Sequence, residues 1–333
     1  MIFVTGGTGL IGSHLLYHLT SSNKQVVALK RKNSNLALVE KLFEAYSPDK
    51  TDLFNSISWV DGEIEDYQTL CNAVKGCDEV YHCAAIVSFN GKDTNQMLNV
   101  NVQGTANIVN ACIEMGVKRL CHVSSVAAIG SPAEGNFVDE NTPWGKSKGK
   151  SGYAISKFRS EMEVWRGIEM GLNAVVVNPT VVVGPGRWEN GSGQIFGTIA
   201  KGFPFYTTGK TGYVDVRDVV KAMITAMQKE MWGKRFIING ENLMHKQVFE
   251  TIAHEMGKKP PSINVTPWMS AIAWRLAWIG SKFSGKPAAL TRDTARSGHA
   301  TTYYSSKLAE KELGIKFTPI ADAIANTVRI GQL

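Results

Sequence analysis

The sequence predicts an α/β protein that combines a doubly wound parallel sheet with a smaller, mixed α/β lobe. Three observations predict it: strand-like and helix-like segments alternate, a glycine-rich turn joins the first strand to the first helix, and the alternation fades after about residue 180. Strands separated by helices pair in parallel, because each helix carries the chain back across one face of the sheet.

The first 180 residues contain six strand candidates, each a short run rich in apolar and β-branched residues. They are Ile2–Val4, Gln25–Lys30, Ile57–Val60, Glu79–Cys83, Arg119–Ser124 and Asn173–Asn178. Between them lie helical patterns from about Leu10 to Leu19 and near 35–46, 66–75, 95–115 and 153–170. With right-handed crossovers, this order predicts a doubly wound sheet.

The second half of the chain is less regular. Residues 183–193 form a loop-like segment, and the later strand candidates mix with helices: Arg235–Ile238, Ile263–Val265 and Thr302–Tyr304. We therefore predict a sheet domain over 1–180 and a smaller lobe over 181–333, with segments near 212–238 returning to the sheet domain. No low-complexity linker separates the two, so we expect them to pack as one unit.

Composition narrows the class of protein. Hydrophobic residues make up 44% and charged residues 20% of the 333, which excludes disorder, collagen and coiled coil as the main architecture. The net charge of +7 leaves a nucleic acid, an anionic lipid surface and a small anionic ligand as possible partners. No basic stripe with interleaved aromatic residues appears, so we expect no nucleic acid partner.

Cysteine usage and apolar runs indicate the compartment. The five cysteines form no CxxC pair, so we expect reduced thiols and predict no metal site. No uncharged apolar run reaches the ~20 residues that span a bilayer. We therefore predict a cytoplasmic protein without an integral membrane segment.

The turn after the first strand reads TGGTGLIG at 5–12. In such a turn Gly6 permits the tight bend, Gly9 lets a pyrophosphate approach the backbone, and Gly12 lets the helix pack closely on the strand. The helix that follows presents free N–H groups and a positive dipole end to phosphates. The spacing and its strand–turn–helix context predict a dinucleotide site.

The end of the second strand bears on the choice of dinucleotide. NAD binding favours an Asp or Glu there, which accepts a hydrogen bond from the ribose 2′-hydroxyl. This chain has Lys30-Arg31-Lys32 instead. A basic side chain attracts a 2′-phosphate, so we favour NADP over NAD, with Arg31 as the contact. The alternative is a solvated basic loop.

A tyrosine and a lysine stand four residues apart in YAISK at 153–157, a spacing that places both on one helix face. A carbonyl reduction needs a proton donor beside the hydride donor. A free tyrosine has a pKa of ~10, and a neighbouring ammonium would lower the pKa of Tyr153. Lys157 could supply that ammonium. Ser124-Ser125 ends the fifth strand, where open parallel sheets place their ligand crevice, and a hydroxyl there could bind a substrate oxygen.

Together these motifs resemble the extended short-chain dehydrogenase/reductase family over most of the chain. The matching segments are TGGTGLIG at 5–12, HCAA at 82–85, NVQGT at 101–105, HVSS at 122–125, YAISK at 153–157 and NPTVVVGPG at 178–186. The resemblance implies a Rossmann sheet and a substrate-binding second lobe. Within the family, the chain is most similar to the dihydroflavonol-reductase and 3β-hydroxysteroid-dehydrogenase branch, on ALKRKNSN, SSVAAIG and YYSSKLAEKELG.

The resemblance also implies roles for individual residues. Tyr153 is the expected acid/base, Lys157 its partner, and Ser125 rather than Ser124 the catalytic serine. Glu63 stands where the family often has Asp, before an apolar residue that contacts adenine, and Asn101 matches an asparagine with a supporting role. The implied cofactor-binding set is Gly6, Thr8, Gly9, Leu10, Ile11, Gly12, Arg31, Glu63, Ile64, Ala84, Ala85, Asn101, Tyr153, Lys157, Pro179 and Val182.

These residues lead us to expect an NADP(H)-dependent oxidoreductase that interconverts a ketone or aldehyde and an alcohol. One alternative is a nucleotide-sugar epimerase, which uses the same residues without net redox change. Another is a regulator that senses NADP without turning it over. Sugar 4,6-dehydratases of the family have Asp-Glu after the catalytic position, whereas Val126 and Ala127 follow Ser125 here.

Two surfaces carry further expectations. Family members often dimerise through the helices near 95–115 and 153–170, so the resemblance implies a homodimer that binds a small-molecule substrate. The segment Trp268–Ile279 is apolar on most sides of a helix. We expect it to form core and a wall of the substrate pocket; a face that contacts a membrane is the alternative.

Overall fold

The computed structural model describes residues 1–49, 52–132, 137–284 and 290–332. Within these residues the strands are β1 (Ile2–Thr5), β2 (Val26–Lys30), β3 (Ile57–Asp61), β4 (Glu79–His82), β5 (Arg119–Val123), β6 (Ala174–Pro179), β7 (Val181–Val183), β8 (Phe205–Tyr206), β9 (Lys210–Asp215), β10 (Arg235–Ile238), β11 (Glu241–Met244) and β12 (Ile263–Asn264).

The helices in the same part of the chain are α1 (Leu10–Ser21), α2 (Ala37–Tyr46), α3 (Asp52–Asn55), α4 (Tyr67–Val74), α5 (Thr94–Met97), α6 (Gly104–Glu114), α7 (Gly152–Glu169), α8 (Gln194–Ala200), α9 (Val216–Gln228), α10 (His245–Glu255), α11 (Pro267–Ser284), α12 (Arg292–Ser297) and α13 (Ile320–Ile330). A π-helical segment, Leu98–Gln103, joins α5 to α6.

The main sheet has seven parallel strands in the order β10-β6-β5-β4-β1-β2-β3. The strand order reverses between β1 and β4. In an open parallel sheet, the helices that follow such neighbouring strands leave on opposite faces and open a crevice at the carboxyl ends. The predicted α/β class and Rossmann sheet are confirmed, and the crevice determines where the site forms.

Alternate residues of the central strands pack into two separate cores. Ile2 and Val4 of β1 belong to the core on one face, whereas Phe3 belongs to the core on the other. In β6, Val175 and Val177 similarly alternate with their neighbours. Successive side chains of a strand point to opposite faces, so a strand covered on both sides reads as a continuous apolar run. This is why the β-branched runs predicted the sheet.

Helices cover both faces of the sheet. Helix α1 packs against α9 on one face, while α4, α6 and α7 pack side by side on the other. Strand β10 lies at the edge of the main sheet beside β6, although it follows residue 180 in sequence. The division of the chain at 180 stays a prediction.

The second half adds two small sheets. One has the order β11-β9-β7, with β9 parallel to β7 and antiparallel to β11; the other pairs β8 with β12. The strand predicted at Thr302–Tyr304 is wrong: Thr301 and Tyr304 each form one isolated bridge. Their backbone groups pair instead with separate partners, as when Tyr304 donates its N–H to the Asn242 side chain.

Helix α11 differs from the expectation for Trp268–Ile279. Its inner side lies against the protein, but Trp268, Ile272 and Leu276 are exposed. The prediction of core is therefore wrong for this face, because apolar residues around most of a helix do not show which sides have a neighbour. No helix within the described ranges is both long enough and apolar enough to cross a membrane.

Candidate active site

A cavity of about 1500 Å³ opens at the carboxyl ends of β1 and β4 and continues under the second half of the chain. Nearly all of the predicted site residues line it: Gly6, Thr8, Gly9, Leu10, Ile11, Gly12, Arg31, Glu63, Ile64, Ala84, Ala85, Ser125, Tyr153, Lys157, Pro179 and Val182. The fold thus brings together residues that lie far apart in sequence. Asn101 is the exception.

The glycine turn leaves no room for side chains at two positions. Gly6 has φ +70°, and a Cβ there would lie 2.6 Å from the Ala84 nitrogen. A Cβ on Gly12 would lie 2.1 Å from the Gly6 oxygen, so α1 could not pack against the turn. No side chain caps the N-terminus of α1. The turn therefore presents bare backbone and a helix N-terminus to the cavity, as a dinucleotide pyrophosphate requires.

Two basic residues at the end of β2 have different surroundings. Lys30 forms an ion pair with Asp61 of the neighbouring strand. Arg31 is exposed, lines the cavity and forms no ion pair with any residue that the structure describes. Ile64 is buried at the same end of the cavity, while Glu63 is exposed. This end can hold an apolar ring beside an anionic group.

Asn101 supports the cavity wall from behind. It is buried in the π-helical segment, and its side-chain oxygen accepts a hydrogen bond from the Ile86 nitrogen at 2.7 Å. Its amide donates to the Ile86 carbonyl at 2.9 Å and to the Ser156 hydroxyl at 3.0 Å. Asn101 does not line the cavity. It fixes the backbone that follows Ala84 and Ala85, which agrees with the supporting role expected for it and not with a direct cofactor contact.

Ser125, Tyr153 and Lys157 meet where β5 ends and α7 begins. Ser125 opens a short 3₁₀ turn, and its hydroxyl accepts a hydrogen bond from the Ala127 nitrogen at 3.1 Å. The Ser151 hydroxyl caps α7, which directs Tyr153 of the first turn into the cavity. One turn later, the Lys157 ammonium donates to the Val123 carbonyl at 2.8 Å.

Burial shapes the pKa values of both titratable groups. Burial raises the pKa of Tyr153, and interaction with the Ser125 hydroxyl opposes that rise. The lowered pKa expected for Tyr153 is therefore not observed, because removal of the phenol from water outweighs the stabilisation of its anion. Burial lowers the pKa of Lys157 to about 8, against the opposing charge of Glu161. At neutral pH the cavity is therefore lined by a phenol at Tyr153 and an ammonium at Lys157.

Glu161 is a residue that the sequence reasoning missed. It is 1% exposed, and its carboxylate accepts hydrogen bonds from Ser124 at 2.6 Å and Asn178 at 2.8 Å. Arg235 also donates to it, at 3.1 Å. Asn178 in turn donates to the Ser125 carbonyl at 3.0 Å, which links Glu161 to the backbone of the site serine. The sequence feature that could have identified Glu161 is its position one turn beyond Lys157 on the same helix face.

The far half of the cavity is formed by the second part of the chain. Its apolar residues include Phe203, Phe205, Phe249, Val265, Met269 and Leu290. Arg187 and Lys210 also line it. Phe89 packs edge-on against the Tyr153 ring with 5.7 Å between centroids, so an apolar wall reaches the Tyr153 phenol. A molecule held here would meet mostly apolar side chains with a few polar groups.

The chain matches known proteins over most of its length. The model of the NAD dependent epimerase/dehydratase family matches residues 2–239. A Synechocystis sp. protein that carries the provisional name dihydroflavonol 4-reductase is 29% identical over 98% of this chain and 93% of that protein. Cinnamoyl-CoA reductase 1 of Petunia hybrida is 26% identical over 99% and 91%, respectively.

A solved structure supports the same relationship. The crystal structure of gox2253 superposes with a TM-score of 0.81 at 30% identity and covers 99% of this chain and 97% of that chain. The family model spans well over half of the sequence and includes the glycine turn, Ser125 and the Tyr153–Lys157 pair. This agrees with the resemblance drawn from the motifs. The chain belongs to the NAD dependent epimerase/dehydratase family, whose members are enzymes that depend on a nicotinamide dinucleotide.

Proposed function

We propose that the protein is an NADP(H)-dependent oxidoreductase that interconverts a ketone or aldehyde and an alcohol, with Tyr153 as the acid/base. The observation that carries the proposal is the convergence of Ser125, Tyr153 and Lys157 on the cavity that also contains the glycine turn. A site that only sensed the dinucleotide would need no proton donor. The reductase names among the relatives also favour net redox chemistry.

Each residue has a defined task in the reductive direction. A dinucleotide held at the glycine turn would supply the hydride that the carbonyl carbon receives. Tyr153 donates its phenolic proton to the carbonyl oxygen, which yields an alcohol and a phenolate. Ser125 donates a hydrogen bond to the same oxygen and holds it beside Tyr153. The Lys157 ammonium stabilises the phenolate until solvent returns the proton.

The raised pKa of Tyr153 suits this direction. Because burial raises its pKa, the group is a phenol at neutral pH, which is the form that donates a proton. The reverse reaction would use the same residues, with the Tyr153 phenolate as the base.

The cavity also favours one class of substrate. Aromatic and aliphatic side chains of the far half, among them Phe203, Phe205 and Met269, can cover a ring system. Val126 and Ala127 line the cavity directly after Ser125 and offer no carboxyl group for dehydration. We propose a carbonyl compound with an apolar ring system as the substrate.

The dinucleotide is proposed to be NADP, with the adenosine end beside Arg31. The exposed Arg31 guanidinium lines the cavity and can pair with a 2′-phosphate, whereas Lys30 is already paired with Asp61. We also propose a homodimer that uses α7. On this helix Met162 is 39% exposed and could contact a partner, whereas Phe158 already stacks on Trp144 within the chain.

Replacement of Tyr153 by Phe tests the mechanism. The substitution removes one oxygen and keeps the ring that packs against Phe89. We expect reduction of a panel of aryl and alicyclic ketones, followed by NADPH absorbance, to fall by about 10²- to 10⁴-fold. The NADPH dissociation constant should change little. Full activity of this variant would refute the proposed role of Tyr153.

A further inference from the structure

Helix α11 presents an apolar stripe that nothing in the described chain covers. Trp268 is 66% exposed, Ile272 50%, Leu276 63% and Ile279 45%. These positions recur at spacings of four, four and three residues, so they share one side of the helix. Side chains this large seldom form a contiguous exposed patch on a protein surface without a partner.

The opposite side of α11 faces the cavity of the candidate active site. Met269 and Ser270 line that cavity, as does Leu290 beyond the helix. Trp274 and Trp278 line a smaller neighbouring cavity of about 370 Å³ together with Phe89. Phe89, which lines both cavities, is itself 44% exposed. The helix therefore separates the substrate half of the cavity from the exterior, and an apolar rim continues beside it.

The charged residues of α11 indicate which kind of partner could cover the stripe. The segment 267–284 contains Arg275 and Lys282 but no acidic residue. The Arg275 guanidinium lies 4.7 Å from the Trp274 ring centre, and the Lys282 ammonium 4.1 Å from that of Trp278. Tryptophan and basic side chains above an apolar face are typical of helices that lie in the interface of a membrane.

A second copy of the chain would fit this face less well. In a two-fold dimer, the same patch of each copy meets its counterpart. Two α11 helices would then bring Arg275 and Lys282 of both copies together without an acidic partner on the helix. An anionic lipid surface instead offers apolar chains to the stripe and negative charge to the cations.

We propose that α11 is a membrane-docking helix, which binds the surface of an anionic lipid bilayer through Trp268, Ile272, Leu276 and Ile279. Arg275 and Lys282 interact with the headgroups. Docking places the wall of the substrate cavity against the lipid, where an apolar substrate would concentrate. The docking itself does not depend on the reaction that the site catalyses.

Vesicle flotation of the full chain tests the proposal. The probe vesicles contain phosphatidylcholine with or without phosphatidylglycerol. The wild-type chain should float with the anionic vesicles and less with neutral ones, and high salt should reduce binding. Ile272→Ser/Leu276→Ser should lower the bound fraction at limiting lipid by about tenfold or more, because the apolar contact is lost. Neither residue lines the active-site cavity.

The matched control is Met170→Ser, since Met170 is 57% exposed at the end of α7. It should float like the wild type. Circular dichroism and the melting temperature should show that all variants fold alike. The proposal fails if the wild type stays unbound, or if the double variant floats equally well. It also fails if the wild type forms a dimer through this face and does not bind vesicles. Light scattering would then show a dimer mass for the wild type that the double variant lacks.

Discussion

Lys157 is 2% exposed, and its ammonium donates to the Val123 carbonyl from the helix face that also carries Tyr153. Because burial lowers its pKa to about 8, the group is charged at neutral pH and neutral under mildly alkaline conditions. In the proposed mechanism, only the charged form stabilises the phenolate that remains when Tyr153 has given up its proton. The activity should therefore depend on pH through this one residue.

We expect kcat/KM for ketone reduction to be level at neutral pH and to fall as the pH rises through about 8. The same shift affects stability with a defined sign. Between pH 8 and the ordinary lysine pKa of 10.5, the unfolded chain binds more protons at this group, so its contribution to stability rises with pH. Loss of activity above pH 8 should thus occur without unfolding.

Lys157→Arg distinguishes this group from others that titrate. An arginine stays charged throughout, so the alkaline fall should move to higher pH even if the rate is reduced. The measurement is a pH series of kcat/KM for both proteins with NADPH and one ketone. An unchanged alkaline limb in Lys157→Arg would assign the titration to another residue.

In the proposed assignment of NADP, the choice of cofactor depends on Arg31. Arg31→Ala removes a charge-assisted contact to the 2′-phosphate, so NADPH should bind about tenfold to a hundredfold more weakly. The affinity for NADH should stay the same, as measured by titration calorimetry. Lys32→Ala is the matched control, because Lys32 is an exposed neighbour that does not line the cavity. Equal losses for NADPH and NADH would contradict the assignment.

At the scale of single elements, α7 organises the site by its helical repeat. Tyr153, Lys157 and Glu161 follow one another at every fourth residue and so lie along one face. The first two line the cavity, and the third anchors the helix to Ser124 and Asn178. A single helix thereby fixes both the acid and the backbone of Ser125.

Glu161→Gln should disturb the site without touching substrate. A glutamine has one acceptor oxygen, so at least one of the donors around it must face an N–H group. We expect a loss of about 1–3 kcal/mol in the free energy of unfolding, measured in urea. The kcat should fall, and the alkaline limb of the pH profile should move to lower pH, since the charge that raises the pKa of Lys157 is gone.

The control for this variant lies on the same helix. Glu163 is partly exposed and pairs with Arg166, so Glu163→Gln should leave stability and the pH profile nearly unchanged. If Glu161→Gln lowered only stability and left the pH profile in place, Glu161 would have a structural role alone.

How well an element could be predicted depended on its surroundings. The strands of the main sheet are buried on both faces, so their sequences carry a strong apolar signal, as in VVALK and AVVVN. Strand β11, with Glu241 and Asn242, lies in a small half-buried sheet and has no such pattern. Thr302–Tyr304 has strand-like residues, but its partners are single bridges that depend on distant loops.

How well a residue of the site could be predicted also depended on its surroundings. Its motif residues depend on local backbone geometry, which a short sequence pattern encodes, as at Gly6 and Gly12. Glu161 was not predicted because its role depends on hydrogen bonds from Ser124, Asn178 and Arg235, which are distant in sequence. The exposed side of α11 was not predicted for a related reason. Whether one side of a helix is buried depends on the elements that pack against it, and the sequence of the helix does not show them.

At the scale of the whole molecule, several of the basic residues behind the net charge of +7 lie at identifiable sites. Arg31 lines the predicted adenosine end of the cavity, and Arg275 and Lys282 lie on the exposed helix α11. The cavity between them extends from the glycine turn to an apolar far half, and Ser125, Tyr153 and Lys157 lie along it.

The most direct test of this account follows the hydride itself. The wild-type enzyme is given NADPH deuterated at the transferable position of the nicotinamide, together with a ring-bearing ketone that it turns over. We expect one alcohol for each NADPH oxidised, with deuterium on the carbinol carbon, as measured by mass spectrometry and absorbance. An isomerised or dehydrated product with no net NADPH consumption, or an alcohol without deuterium, would contradict the proposed reaction.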